Sequence, residues 1–152
     1  MTRHEVRPAN LLLIEDDHDD QWLVRAAVQR SERVGSLSIV ESCNAAFDYL
    51  YREKEYDDAE QYPHPDLILL DIDLAGDDGY DVLRTVKTDP GLCGIPVVVF
   101  TTTGEEEDVV RSYTLGANSH VTKPDSMEEF HSLFEIIESY WLELVELPTR
   151  CD

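Results

Sequence analysis

The stretch DLILLDIDLAGDDGYDVL, residues 66–83, contains the wholly apolar run Leu67–Leu70, which ends directly in the acidic residue Asp71. Two further apolar runs of the same length lie at residues 11–14 and 97–100, and each is also followed at once by polar or acidic residues. Short continuous apolar runs are typical of parallel strands that are buried on both faces. These three runs therefore predict the centre of a parallel sheet.

Weaker strand patterns occur at residues 37–40 and Ser119–Thr122. Five stretches with the spacing of amphipathic helices lie between and after the strands: residues 19–33, 44–55, 79–88, 105–115 and 126–147. Strand and helix thus alternate along the chain, which predicts an α/β fold with helices on both faces of the sheet. In such folds ligands bind at the carboxyl ends of the strands.

The composition indicates one acidic globular domain. The chain has 152 residues, of which 12 are basic and 33 acidic, and the net charge is −21. This length fits one domain, and a hydrophobic fraction of 42% is enough for a core. Because so much negative charge repels nucleic-acid phosphates and anionic lipids, we expect neither nucleic acid nor membrane as a partner.

The sequence also predicts where the protein is found. It has neither the apolar segment of a signal peptide nor an apolar run long enough to span a membrane, which favours a cytoplasmic location. Cys43, Cys93 and Cys151 lie far apart without a CxxC pair, so we expect reduced cysteines. An acidic chain with nine arginines and three lysines favours a halophilic source.

Acidic and polar groups follow the predicted strands where each strand ends. Glu15 and Asp16 follow the first, Asp71 the third and Thr101 the fourth, and Lys123 comes just after the fifth. Carboxylates about 4 Å apart repel by about 4 kcal/mol at an effective dielectric constant of about 20, so a cation is expected between them. Oxygen ligands suit Mg²⁺. A tetrahedral anion on Asp71 would then meet the metal, an ammonium group and a hydroxyl group.

Four stretches, taken together, resemble the receiver domain of two-component response regulators: LLLIEDD (11–17), DLILLDIDLAGDDGYDVL (66–83), IPVVVFTTT (95–103) and GANSHVTKP (116–124). They occur in the family's order. The resemblance implies a flavodoxin-like, doubly wound, five-stranded parallel sheet with five helices. It places the receiver domain at residues 9–147, between an N-terminal tail at 1–8 and a C-terminal tail at 148–152.

The same resemblance implies a role for each carboxylate at this edge. Asp71 corresponds to the phosphoacceptor, and Glu15 and Asp16 correspond to the acidic pair that holds Mg²⁺ together with Asp71. The backbone carbonyl of Asp73 would be a further metal ligand. Asp17 is either another ligand or an acidic residue at a helix N-terminus. Asp19 and Asp20 are interpreted as helix caps and solvated surface.

Four residues correspond to the family's phosphoryl-stabilising and switching positions. Thr101 matches the switch hydroxyl and Lys123 the invariable lysine, whose bond to Pro124 is expected to be cis because X-Pro bonds tolerate that isomer. His120 stands where the family usually has an aromatic residue that moves during switching. Its imidazole can charge near neutral pH, so His120 is either a switching residue or an ordinary exposed strand residue.

The resemblance implies a stand-alone response regulator and not an enzyme with an external substrate. Asp71 would accept a phosphoryl group from the phosphohistidine of a sensor histidine kinase, and the protein would catalyse only its own phosphorylation and dephosphorylation. The signal would pass through phosphorylation-dependent contacts with a downstream protein, whose identity the sequence does not disclose, or through a phosphorelay.

Two alternatives stay open on the sequence alone. The segment Leu70-Asp71-Ile72-Asp73 resembles the nucleophile motif of haloacid-dehalogenase-type phosphatases, in which Asp71 would attack the phosphoester and Asp73 would act as general acid and base. That motif lies mid-chain, however, and leaves the upstream acidic run without a role. The other alternative is an interaction module that never turns over phosphate, although every group required for turnover is present.

The last predicted helix carries the clearest apolar stripe. Its members recur at three- and four-residue steps: Phe130, Leu133, Phe134, Ile137, Tyr140, Trp141 and Leu144. Ile136, Leu142 and Val145 fall off the stripe, so part of a second apolar face is exposed unless a partner covers it. A homodimer through this helix region is one interpretation, and a contact with another protein is the other.

Overall fold

The computed structural model describes residues 8–144 and residue 146. These residues contain a five-stranded parallel sheet, whose strands we number β1 to β5 in chain order. The strands are β1 (Ala9–Ile14), β2 (Val34–Val40), β3 (Leu67–Leu70), β4 (Val97–Thr101) and β5 (Ser119–Thr122). Their spatial order is β2-β1-β3-β4-β5, with parallel pairing throughout. The prediction of a parallel sheet with its most apolar strands at the centre is therefore confirmed.

Five α-helices lie within the described residues: α1 (His18–Gln29), α2 (Cys43–Leu50), α3 (Tyr80–Thr88), α4 (Glu106–Thr114) and α5 (Met127–Glu138). A 3₁₀ turn at Lys54–Tyr56 follows α2, and a π-helical segment at Ser139–Leu144 continues α5. Three helices begin at side-chain caps: Asp17 for α1, Ser42 for α2 and Ser126 for α5. Each cap accepts a hydrogen bond from an amide that the first turn leaves without a helical partner.

Apolar side chains fill both faces of the sheet. Alternate residues of a strand point to opposite faces, so Ile68 and Leu70 pack with α2 and α3, and Leu67 and Leu69 pack with α1 and α5. All four of these leucine and isoleucine side chains are buried. This two-sided core fixes the carboxyl end of β3, where Asp71 follows.

The segment after Asp71 folds into a small hairpin, in which Asp73–Leu74 pairs antiparallel with Asp77–Asp78. Gly76 turns the hairpin at φ +75°, a backbone conformation that favours glycine. A Cβ at Gly79 would come within 2.5 Å of Ile72 Cα. Only glycine fits here, so α3 can begin directly against the backbone beside Asp71.

The end of α5 departs from the predicted stripe. Phe130, Phe134 and Ile137 are buried as expected, but Tyr140 is 47% exposed and Leu144 is 63% exposed. The reason is the π-helical segment at Ser139–Leu144, whose wider turn shifts the side chains away from the spacing of an α-helix. Ile136 is 64% exposed, as predicted, whereas Leu142 packs against the core. Val145 lies outside the described residues.

Several sequence expectations concern parts of the chain beyond the fold itself. The tail expected at residues 148–152, and all but Pro8 of the tail expected at 1–8, lie outside the described residues. Within the described ranges, no helix has both the length and the apolar character that crossing a bilayer requires.

Cys43 is a buried free thiol, but Cys93 is disulfide-bonded, so the expectation of a reduced thiol is wrong for Cys93. Spacing in sequence does not limit which cysteines meet in a fold.

Candidate functional site

Backbone hydrogen bonds hold the predicted site residues at one edge of the sheet. The amide of Glu15 donates to the carbonyl of Val40 at 2.9 Å, and that of Asp71 donates to Ile14 at 3.0 Å. The amide of Lys123 donates to the carbonyl of Thr101 at 2.7 Å. The strand pairing thus continues one residue beyond β1, β3 and β5. Glu15, Asp71, Thr101 and Lys123 meet at this edge, as the sequence predicted.

Both carboxylate oxygens of Asp71 are engaged. Oδ1 accepts a hydrogen bond from Thr101 Oγ1 at 2.8 Å and another from the Asp73 amide at 2.9 Å. Oδ2 accepts from Lys123 Nζ at 3.0 Å. Asp71 is 6% exposed and Thr101 is fully buried. The carboxylate is therefore held in one orientation by an ammonium, a hydroxyl and a backbone amide.

Lys123 is the centre of a group that we call the acid–lysine cluster: Glu15, Asp20, Asp71 and Lys123. Its Nζ donates to Glu15 Oε1, to Asp20 Oδ2 at 2.7 Å and to Asp71 Oδ2. Burial would lower the pKa of Lys123, but the hydrogen bonds to Asp20 and Glu15, with the charge of Asp71, raise this pKa above its ordinary value. The lysine is therefore a fixed cation in the site.

Burial acts in the opposite direction on the carboxylate that follows β1. It raises the pKa of Glu15 above the ordinary range, and the neighbouring Lys123 offsets part of that shift. Glu15 Oε2 also accepts a hydrogen bond from the amide of Asp17 at 3.1 Å. Glu15 is thus desolvated and tied both to the lysine and to the start of α1.

The other acidic residues of this edge take separate positions. Asp16 Oδ2 accepts a hydrogen bond from the Ala75 amide at 2.8 Å and so ties the β1–α1 loop to the hairpin. Asp17 Oδ1 accepts from the amide of Asp20, which confirms the interpretation of Asp17 as an acidic residue at the helix start. Asp73 is exposed, and the group that it presents to Asp71 is its backbone amide.

The carboxylates at this edge are the candidate ligands of a divalent cation. Among the described residues, no group of three or more His, Cys, Asp or Glu side chains is arranged as a metal site. The carboxylates of Glu15 and Asp71 converge instead on the Lys123 ammonium. The donor set is nevertheless suitable for Mg²⁺, since it consists of carboxylate and carbonyl oxygens with more carboxylates than ammonium groups at one edge.

The peptide bond between Lys123 and Pro124 is trans, as are the peptide bonds throughout the described residues. The prediction of a cis bond is therefore wrong. The trans isomer of an X-Pro bond is favoured by about 0.5–1 kcal/mol unless the surroundings select the other. Lys123 reaches Asp71 from this trans backbone.

A second group of hydrogen bonds, which we call the latch, joins the loop after β4 to α3, α4 and β5. His120 Nδ1 lies 2.9 Å from Ser112 Oγ, and His120 Nε2 lies 3.1 Å from the carbonyl oxygen of Thr103. Asp108 accepts from Thr103 Oγ1 and from Tyr80 Oη, both at 2.9 Å. His120 is half-buried, so it is not an ordinary exposed strand residue.

Sequence reasoning missed two parts of this arrangement. Asp20 was interpreted as cap or solvated surface, but its carboxylate contacts Lys123. Asp108 and Tyr80 join α4 to α3, and neither shows a strand-end signal. The sequence signal for Asp20 was its position in the first turn of the helix that follows Glu15 and Asp16. The sequence alone could not show which way its side chain faces.

Comparison with known proteins assigns the family. The model of the response regulator receiver domain matches residues 11–135. This chain belongs to that family. The receiver is 40% identical over 141 residues to the response regulator Rcp1 of Synechocystis sp., a match that covers 93% of this chain and 94% of Rcp1. As a receiver, it acts in phosphorylation-dependent signalling.

Two solved structures are similar to this receiver over nearly their whole length. One is the phosphorylated cyanobacterial phytochrome response regulator RcpA, with a TM-score of 0.87 and 36% identity, covering 93% of this chain and 99% of that one. The other is the Mn²⁺-bound form of Rcp1, with a TM-score of 0.83, 40% identity and the same coverage. The predicted flavodoxin-like fold is confirmed.

The comparisons do not support the alternative of a haloacid-dehalogenase-type phosphatase. That reaction needs the carboxylate of Asp73 beside Asp71 as a general acid and base. In this receiver the side chain of Asp73 is exposed, and its amide fills the hydrogen-bonding position next to Asp71 Oδ1.

Proposed function

We propose that this receiver accepts a phosphoryl group on Asp71 from the phosphohistidine of a sensor histidine kinase. One carboxylate oxygen of Asp71 forms the new O–P bond while the N–P bond to the donor histidine breaks, and the histidine keeps the electron pair of that bond. The observation that supports this proposal is the engagement of Asp71 by Lys123, Thr101 and the Asp73 amide. These donors would stabilise the charge that develops on the phosphoryl oxygens.

A divalent cation, Mg²⁺ by its chemistry, completes the proposed site. Glu15, Asp16, Asp71 and the backbone carbonyl of Asp73 would hold it, and the Mn²⁺-bound structure of Rcp1 supports a divalent metal in a similar receiver. When bound, the cation would offset negative charge on the phosphoryl oxygens. The chain's own part is to supply the oxygen ligands while Lys123 keeps its contact with Asp71.

Thr101 would carry the change at Asp71 into the latch. Its hydroxyl now donates to Asp71 Oδ1, and after phosphorylation it would donate to a phosphoryl oxygen instead. Thr103 follows two residues later, and its carbonyl and hydroxyl groups are both in the latch. A movement of the loop with Thr101 would therefore break or shorten latch hydrogen bonds and alter the surface of α4 and β5.

His120 is the switching residue in this proposal, and its two ring hydrogen bonds, to Ser112 and to Thr103, support that role. The carbonyl of Thr103 can only accept, so His120 Nε2 donates to it. Ser112 Oγ has one proton and lies 2.8 Å from the carbonyl of Asp108. Asp108 Oδ1 also accepts from Tyr80 Oη, and the guanidinium of Arg111 lies 4.0 Å from the centre of the Tyr80 ring.

The proposed partners follow from the family and from the surface. RcpA is named a phytochrome response regulator, which supports a sensor histidine kinase of that kind as the phosphoryl donor. The exposed side chains of Ile136, Tyr140 and Leu144 support a contact with a second copy of the chain or with a downstream protein. Light scattering with and without beryllofluoride tests the homodimer, and a monomer under both conditions would exclude it.

We further propose that the receiver works in the cytoplasm of a halophile. The support is compositional: a net charge of −21 keeps a protein soluble where salt screens its charges, and basic groups are few. Measuring unfolding in urea at rising KCl concentration tests this part of the proposal. Stability should increase up to molar salt as repulsion between carboxylates is screened, and a protein that is most stable at low salt would contradict it.

Incubation with acetyl phosphate and Mg²⁺ tests the proposed phosphorylation. We expect one adduct of about 80 Da, the mass of a phosphoryl group, in the intact-mass spectrum of the wild-type chain. Asp71→Asn should show none, because the nucleophilic carboxylate is gone, and Asp73→Asn should be labelled like the wild type. An unlabelled wild-type chain with acetyl phosphate and with kinase donors would contradict the proposal.

A further inference from the structure

Asp20 places a third carboxylate on Lys123, and it comes from a helix, not from a strand end. Its Oδ2 lies 2.7 Å from Lys123 Nζ, a shorter distance than the 3.0 Å between Asp71 Oδ2 and the same nitrogen. The Asp20 side chain is 24% exposed, while that of Lys123 is 6% exposed. The contact is therefore a largely desolvated, charge-assisted hydrogen bond and not a surface ion pair.

The backbone around Asp20 is fixed independently of Lys123. Its own amide donates to the cap residue Asp17 at 3.0 Å, in the first turn of α1. The next residue, Gln21, is buried and donates from Nε2 to the carbonyl of Glu15 at 2.8 Å. The start of α1 is thus tied to the end of β1, and Asp20 holds its carboxylate in place over the lysine.

The three carboxylates on Lys123 have different fates in the proposed reaction. An ammonium has three N–H donors, and here they go to Glu15, Asp20 and Asp71. Glu15 and Asp71 belong to the proposed metal site, and Asp71 becomes the phosphorylated group. Asp20 is the member of the acid–lysine cluster with neither task, so its hold on the ammonium persists while the other two carboxylates change partners.

We propose that Asp20 is a positioning residue, which keeps the Lys123 ammonium directed at Asp71 and at the phosphoryl group during transfer. This inference rests on the proposed function. The donor held by Asp20 keeps the ammonium in place beside Asp71 while Glu15 and Asp71 change partners, so less orientational freedom is lost in the transition state. Without Asp20, the flexible four-carbon side chain of Lys123 would keep fewer of its fixed contacts.

The test compares Asp20→Asn, which removes the charge but keeps the shape, with Asp20→Glu, which keeps the charge. Asp19→Asn is the matched control, because Asp19 lies exposed in the same helical turn and this substitution removes the same charge. Phosphorylation by acetyl phosphate is followed at saturating Mg²⁺. We expect the rate at saturating donor to fall about tenfold in Asp20→Asn, as for the loss of one charge-assisted contact in the transition state.

The same experiment separates positioning from two other roles. The donor concentration at half-maximal rate should change by less than about twofold, Asp20→Glu should recover part of the rate, and Asp19→Asn should match the wild type. If Asp20 were only background negative charge, both neutral variants would react faster with the anionic donor. If Asp20 only anchored α1, Asp20→Asn would unfold more easily yet react at the wild-type rate. Either outcome overturns the inference.

A second readout follows Lys123 directly. The ¹⁵N signal of its ammonium group should be resolved in the wild type and in Asp19→Asn, and weakened by faster exchange in Asp20→Asn. If Asp20→Asn does not fold, Asp20→Ser replaces it in this test, because serine is neutral and is tolerated in the first turn of a helix. A wild-type chain that is never labelled contradicts the proposed function, whereas a labelled wild type with an equally fast Asp20→Asn contradicts the role of Asp20 alone.

Discussion

The acid–lysine cluster and the latch lie on either side of Thr101, and they are held in different ways. Three members of the cluster, Glu15, Asp71 and Lys123, follow the ends of β1, β3 and β5, where backbone hydrogen bonds and a two-sided core fix them. The fourth, Asp20, lies in the first turn of α1. The latch is made mostly of side-chain hydrogen bonds. Of the nine residues of α4, one, Ser112, is buried. The chemistry is thus built on a rigid part of the sheet, and the response on a part with few apolar contacts, which rearranges at low cost.

Of the substitutions that test this difference between the cluster and the latch, removal of Lys123 should have the largest effect on stability and on phosphorylation. Lys123→Met leaves Glu15, Asp20 and Asp71 without their shared cation, so the free energy of unfolding should fall by about 3 kcal/mol. Urea unfolding measures this change, and phosphorylation should fall by at least about a hundredfold. The control is Lys54→Met, because the Lys54 side chain is 71% exposed and its pair with Asp48 should be worth less than about 1 kcal/mol.

If Lys123→Met and Lys54→Met were equally stable, the acid–lysine cluster would not be the fixed part of the site. A wild-type rate of labelling in Lys123→Met would remove the lysine from the chemistry altogether. Both outcomes would leave the difference between the cluster and the latch without its energetic basis.

Substitution of Thr101 should uncouple the latch from the acid–lysine cluster. Thr101→Ala removes the hydroxyl that lies 2.8 Å from Asp71 Oδ1, so labelling should slow by no more than about tenfold. The NMR shifts that beryllofluoride produces in α4 and around His120 should disappear, because the loop no longer follows the phosphoryl oxygen. Thr101→Ser keeps the hydroxyl and should keep those shifts. Equal responses from Ala and Ser would show that the hydroxyl does not carry the signal.

The smallest effect is expected within the latch. His120→Ala removes the ring contacts to Ser112 and Thr103, so amide exchange across residues 102–114 should become about fivefold faster, as for the loss of roughly 1 kcal/mol. Labelling of Asp71 should stay within about twofold of the wild type. His131→Ala on α5 serves as the control, because His131 takes no part in the latch hydrogen bonds. Unchanged exchange in His120→Ala would mean that His120 does not restrain the loop.

The strand-end rule explains how much of this site the sequence could reveal. Apolar runs buried on both faces predict where parallel strands end, and that was enough to bring Glu15, Asp71, Thr101 and Lys123 together. Asp20 was missed because which way a residue of a first helical turn faces depends on how the helix docks on the sheet. The sequence also could not show that Lys123 lies between the carboxylates on which a cation was expected.

Other features depended on energy differences too small to infer from residue types. The isomer of the bond before Pro124 is decided by about 1 kcal/mol, and the structure has the trans form. The π-helical segment at Ser139–Leu144 interrupts an apolar stripe that fits a regular α-helix over its whole predicted length. The latch required knowing that Tyr80 and Asp108 face each other across two helices.

Locating the phosphoryl group within the chain is the most direct test of the central claim. The receiver is labelled with acetyl phosphate and Mg²⁺, the acyl phosphate is reduced with borohydride, and the modified residue is identified by peptide mass spectrometry. We predict modification at Asp71 alone, at the end of β3 and beside Lys123. Modification at Asp16, Asp20 or Asp73 in place of Asp71 would contradict the account.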